Sequence, residues 1–199
     1  MPGRSHLHVL FTRLFALAAF LAAIWALQGL NSATGIDLSD WLGLIPRSIA
    51  GLDGIVAMPF LHGGFEHLMA NTPPLVVMGG LLAATATRAL VAVNAVIVLV
   101  GGGLVWLLGS PAIHIGASGL VFGWFGFLVT RALVDRSTTT LICALIVGFL
   151  YGSILVGVLP GQPGISWEAH LFGAIAGALA AIFVKSHVHA PRLRDVERL

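Results

Sequence analysis

What this chain has little of narrows its nature before any motif is read. Only 9% of its 199 residues are charged, and its single cysteine, Cys143, sits inside an apolar run. One cysteine excludes an internal disulfide and any cysteine-based zinc site. The net charge is only +2, and no basic cluster with interleaved aromatics is present to bind nucleic acid. No internal repeat, low-complexity tract or polar domain is visible either. What is present is hydrophobic: 58% of the residues, in uncharged runs long enough to place the chain in a lipid bilayer.

Six segments, near 9–30, 66–87, 89–108, 117–134, 140–159 and 167–184, approach the length needed to cross roughly 30 Å of hydrocarbon. The expectation is an all-α, polytopic six-helix membrane bundle, read as one domain over 1–199. The first apolar stretch continues through Trp25 to Leu30, long for a signal peptide, and reads as a retained helix. Arg4, Arg13, Arg88, Arg131, Arg136, Lys185, Arg192, Arg194 and Arg198 fall on one side of the spans, and only Arg47 on the other. The positive-inside rule then puts both termini, and the polar tail 185–199, on the cytoplasmic side of the membrane.

Residues 31–65 form the one long connection. Trp41, Leu42, Leu44, Ile45, Ile49 and Phe60 make it amphipathic, so short helices in the outer membrane interface are expected. Gly and Pro break it too often for a seventh span.

Imidazole and amide groups near a helix centre are costly in a bilayer and call for a reason. His6, His8, His187 and His189 lie at cytoplasmic ends and are read as solvated. The informative set is His62, His67, Asn71, His114, Ser118 and His170. The second, fourth and sixth spans run in the same direction. Their starts carry His67 with Asn71, Ser118, and His170, all within roughly 10 Å of the outer surface at 1.5 Å per residue. His67 and Asn71 are four apart and share a helix face.

Ser118 stands between Gly116-Ala117 and Gly119 at the head of its span. A small residue chosen for close helix packing is one reading of it. The other is a nucleophile that a peptide carbonyl can reach, with backbone N–H groups facing the oxyanion. Gly119 with Gly123, and Gly173 with Gly177, form two small-residue stripes that let the fourth and sixth spans approach and bring Ser118 toward His170.

Other chemistries fit less well. A zincin needs His-Glu-x-x-His, and Glu66-His67 is not followed by a second histidine at that spacing. His62 and His67, five apart, would point away from each other on one helix. Glu168, two residues from His170, lies nearly opposite it, and Asp135 is at the far end, so a Ser-His-Asp triad fails. A dyad is left.

Three motifs, His62…His67-Leu-Met-Ala-Asn71, Gly116-Ala-Ser118-Gly119 and Ala169-His170-Leu-Phe-Gly173-Ala-Ile-Ala-Gly177, resemble those of the rhomboid family of intramembrane serine proteases, in the family's order. The resemblance covers the second to sixth spans and the basic six-helix bacterial form. It implies that Ser118 is the nucleophile and His170 its base, and that Asn71 and His67, with the Ser118 N–H, stabilise the oxyanion. It implies no metal or organic cofactor. Its implied partners are transmembrane protein substrates in the lipid bilayer, and it leaves the oligomeric state open.

This chain departs from the family pattern in three places. Phe122 stands where tyrosine is often found beneath the histidine. Trp41 is followed by Leu42 rather than arginine. Pro73-Pro74 interrupts the second span, which is therefore read as a kinked helix starting near Gly64. Two rivals to proteolysis stand beside it: a catalytically silent relative that binds membrane clients, and a small transporter, which would show midplane charges or inverted repeats.

Overall fold

The computed structural model describes residues 3–86 and 89–184, with side chains from Leu7 onward. The Arg4 and His6 side chains, Arg88 and the whole 185–199 tail, with its basic and histidine residues, lie outside what is described.

Helix α1 (Gly3–Thr34) is longer than its expected span. It ends where Gly35, at φ +71°, turns the chain and donates its N–H to the Asn31 carbonyl at 2.9 Å. The connection that follows is built of short pieces, as its broken amphipathic pattern predicts. These are α2 (Ser39–Leu42), a 3₁₀ turn (Ile49–Gly51), α3 (Gly54–Ala57) and a second 3₁₀ turn (Met58–Phe60). Leu44, Met58 and Leu61 from this stretch are buried, while Trp41 and Ile49 are exposed.

Helix α4 (Phe65–Thr85) runs through both Pro73 and Pro74 and starts after Gly64, as expected. Its near face rests on α1, where the Trp25 indole N–H donates to the Thr72 hydroxyl at 3.2 Å. The next rod, Leu90–Leu108, is α5 (Leu90–Val96), a π-helical turn (Ile97–Gly101) and α6 (Gly102–Leu108). Helix α7 (Ser118–Asp135) stops at Arg136, which sits in the left-handed region at φ 50°. Helix α8 (Thr138–Tyr151) begins where the Ser137 side chain accepts the Thr140 N–H.

The fifth expected span is one rod over Thr138–Val158, and its last part departs from α geometry. It tightens at Gly152 into a 3₁₀ stretch, Gly152–Val158. Helix α9 (Trp167–Phe183), capped by the Ser166 side chain on the Ala169 N–H, completes the bundle.

Among the described residues, five helices are long and apolar enough to cross a membrane. At 17 residues α9 reaches only about 25 Å, but it is inside the bundle, packed most extensively on α7. Helix α7 is the central element: Val121, Phe122, Trp124, Phe127 and Leu128 are all buried. Helix α8 instead exposes Leu145 and Phe149, as a lipid-facing helix does. The protein is an all-helical integral membrane bundle.

Among the arginines used to orient the chain, Arg13 and Arg136 donate to the Ala83 and Leu133 carbonyls, and Arg47 and Arg131 have partners of their own. Arg47, the one exception on its side, donates through Nη1 to the Gly109 carbonyl at 2.8 Å and the Leu107 carbonyl at 3.3 Å. It thereby satisfies orphan carbonyls where α6 ends. Arg131 is buried and pairs with Asp135 at 2.7 Å, one turn away.

Candidate active site

The candidate residues converge at the end of the bundle where α4, α7 and α9 begin. Ser118 is the first residue of α7. The first bond of that helix runs from the Val121 N–H to the Ala117 carbonyl at 3.0 Å, so the N–H groups of Ser118, Gly119 and Leu120 precede its ladder. Such unpaired donors at a positive helix end suit an anion.

Gly116 shows why the preceding residue lacks a side chain. Its φ of +112° favours glycine, and a Cβ there would lie 2.7 Å from the His67 ring and 3.7 Å from Ser118 Oγ. The His67 imidazole and the Ser118 hydroxyl therefore flank one backbone position. The Gly116 N–H is anchored on the Met58 carbonyl at 3.0 Å. Asn71 is buried one turn below His67, and its side-chain amide donates to the His67 carbonyl at 3.1 Å. That bond orients the amide and leaves its second N–H available.

His170, 8% exposed, lies in the first turn of α9. Its Nδ1 donates to the Gly157 carbonyl at 2.9 Å. A carbonyl can only accept, so the proton is on Nδ1, and Nε2 carries the lone pair a general base needs. The Phe122 ring, one turn below Ser118, stacks on the imidazole at 4.1 Å between centroids and 8° between planes. The tyrosine hydroxyl missing from this position is thus not needed for the ring contact.

The glycine stripes do what their spacing predicts. A Cβ on Gly173 would overlap the Gly119 carbonyl, and one on Gly177 the Gly123 carbonyl. The Ala169 carbonyl would stand 3.3 Å from a Cβ on Gly119, so the residues next to Ser118 and His170 are in backbone contact. Among the described residues no hydrogen bond yet joins Ser118 Oγ to His170. Such bonds are often long in the unliganded state and tighten in the substrate complex.

One expectation fails. His62 does not point away from His67: it precedes α4 rather than lying on it, and the two rings meet edge to face, centroids 5.1 Å apart. His62 is 2% exposed and no well-formed hydrogen bond reaches either ring nitrogen. Burial first, then the neighbouring His67, lowers its pKa to about 4, only partly opposed by the Phe60 backbone, so at neutral pH it is uncharged. On its far side, a polar cavity of about 190 Å³ is lined by Gln28, Asn31, Ser32, Asp37 and His62.

A larger cavity, about 500 Å³, opens beside His67 between the 110–115 segment and residues 164–168. Of the candidate catalytic and oxyanion residues, His67 lines it. Sequence reasoning missed Gly157, because any residue has a carbonyl and only the fold selects which one meets His170. The sole hint was a glycine in an otherwise apolar run.

Comparison with known proteins gives the family of the chain. Residues 51–187 match the family model described as Rhomboid domain. An uncharacterized protein of Mycobacterium tuberculosis is 38% identical over 179 residues, covering 85% of this chain and 74% of its own length. An uncharacterized protein of Mycobacterium leprae is 35% identical over 180 residues, covering 85% and 70%. A Bacillus subtilis protein named "Putative rhomboid protease YdcA" is 26% identical over 176 residues, covering 83% and 78%. No solved structure matches the chain. With the family model spanning well over half of its residues, on the helices that build the candidate site, the chain belongs to the rhomboid family.

Proposed function

We propose that this protein is an intramembrane serine endopeptidase in which Ser118 attacks a peptide carbonyl and His170 acts as general base. The observation that carries the reading is the His170–Gly157 hydrogen bond, which leaves Nε2 unprotonated on a helix packed against the one that Ser118 opens.

In the first step Ser118 Oγ bonds to the carbonyl carbon as its proton passes to His170 Nε2. The C=O electron pair moves onto oxygen. That oxyanion takes hydrogen bonds from the Ser118 backbone N–H, the free Asn71 amide N–H and neutral His67, preorganised donors that bury no net positive charge. The C–N bond then breaks, and Nε2 returns the proton to the departing amine. Water attacks the ester, gives its proton to Nε2, and the second tetrahedral intermediate releases the acid and restores Ser118.

Substrates are transmembrane or membrane-proximal segments of other proteins, with small residues at the cut and a helix that unwinds readily. The site opens to the external side. Arg13, bonded to the Ala83 carbonyl at 3.1 Å, supports this orientation, because it lies with Arg136 at the bundle end away from Ser118. Chain 1–199 works as one domain. The test is cleavage of a transmembrane substrate by the purified protein and by Ser118→Ala. Loss in the variant is expected; equal cleavage would make Ser118 a packing residue, and client binding without cleavage in both would favour the silent relative.

A further inference from the structure

His114, prominent in the sequence, and Glu168, rejected as a triad member, have no place in that mechanism. Both are buried at the mouth of the large cavity, His114 at 2% and Glu168 at 4% exposure. A carboxylate buried in a membrane protein calls for a specific set of partners.

Those partners form a chain whose proton directions can be assigned. The Ser110 carbonyl can only accept, so His114 Nε2 donates to it at 3.1 Å, and in the neutral ring Nδ1 accepts from the Ser166 hydroxyl at 2.6 Å. Ser166 Oγ in turn accepts the Ala169 N–H at 3.3 Å. Glu168 Oε1 accepts from the Ser110 N–H at 3.1 Å and the Ser110 hydroxyl at 2.6 Å. His114 is also tied to the first loop by reciprocal backbone bonds with Leu44, 2.8 and 3.1 Å long. Each group that must donate has an acceptor.

We propose that Glu168 and His114 are positioning residues that clamp the 110–117 segment to the first turn of α9. Residues 110–117 lead into the start of α7 and so set Ser118. The first turn of α9 carries His170. The glycine stripes fix the spacing of the two helices from Gly119 inward, and the clamp fixes the loop above them. Two fastenings hold nucleophile and base in register, one of backbone contact and one of hydrogen bonds. The clamp's effect on turnover rests on the protease reading.

The test uses the full chain in proteoliposomes with a fluorogenic transmembrane substrate. Glu168→Ala removes the one carboxylate oxygen that accepts from both Ser110 donors, and kcat is expected to fall about 10²-fold with KM little changed, the cost of a roughly 1 Å misplacement. Glu168→Gln retains an oxygen that can accept from Ser110 and should restore most of kcat, which a general loss of folding would not allow. Ser110→Ala, which removes one donor and leaves the Glu168 carboxylate its Ser110 N–H bond, should give a smaller fall. Amide hydrogen exchange across 110–117 should quicken in Glu168→Ala.

Parental kcat or unchanged exchange in an inserted Glu168→Ala would overturn the clamp while leaving the protease reading intact. A parent protein that neither cleaves nor reacts with a fluorophosphonate would sink the protease reading itself and the positioning role with it.

Discussion

The carbonyl of Gly157 and the imidazole of His170 meet at 2.9 Å, and their contact leaves no space for a side chain at residue 157. A Cβ there would sit 2.9 Å from His170 Nδ1 and 3.1 Å from the edge of Phe122. Gly157→Val should therefore displace the imidazole, lowering cleavage and fluorophosphonate labelling together by about 10²-fold. The exposed lipid-facing run of α8 should keep the protein inserted. Parental rates in this variant would show that the carbonyl does not set the ring.

Nucleophile, base and oxyanion donors should fail differently in one assay. Ser118→Ala removes the attacking atom, so cleavage and labelling both vanish. His170→Ala keeps the hydroxyl without its base, and both drop to near background. Asn71→Ala removes one oxyanion donor and should cost about 10²–10³-fold in turnover while retaining slow labelling. His67→Ala should resemble Asn71→Ala; a result matching His170→Ala would instead make His67 a second base.

Backbone contact between α7 and α9 makes the stripe intolerant of even one methyl group. Gly177→Ala would push a Cβ into the Gly123 carbonyl, and Gly173→Leu would force the helices apart at Gly119. Overpacking of this kind costs about 1–3 kcal/mol of stability. Thermal unfolding in detergent should show that loss, with activity falling more steeply for Gly173→Leu, the position nearer the dyad. Unchanged melting and cleavage in both would refute the close contact.

His62 links stability to pH. Its folded pKa, about 4, lies below the ordinary value of 6.5, so the unfolded chain takes up the proton first as pH falls. The stability that neutral His62 provides is complete above pH 6.5, declines below it, and is lost by about pH 4. The unfolding midpoint of the parent should fall between pH 7 and pH 4, and that of His62→Phe should fall less. Identical slopes would remove His62 as the cause.

Orientation can be tested directly. A reporter fused after Leu199 should read cytoplasmic, and one inserted at 160–164 external. Since Arg47 and Arg131 are held by α6 carbonyls and by Asp135, replacing either with Gln should not invert the chain. The reverse topology would put the site end of the bundle in the cytoplasm.

Much of the candidate site could be read without the fold because the chemistry proposed for it depends on rare residue types. A hydroxyl, imidazoles and an amide stand out in an apolar sequence, and their distance from the helix starts gives their depth. Glycines four apart predict close helix contact, since a missing side chain is itself a signal. The pairing of His62 with His67 was misread because five residues apart means opposition only if both lie on one helix, and His62 precedes α4.

Composition and spacing by themselves determined the membrane environment, the all-helical class, the order of the spans and the candidate dyad. These follow from local rules, the cost of burying polar groups in lipid and the period of 3.6 residues. Only the tertiary structure decided that the Gly157 carbonyl sets the His170 tautomer, that α8 tightens at Gly152 to bring it there, that Arg47 caps α6, and that Glu168 turns to Ser110. In each case one or both partners are backbone groups, identical at every residue and marked by no residue type. Which of them meet is fixed only when separate segments pack.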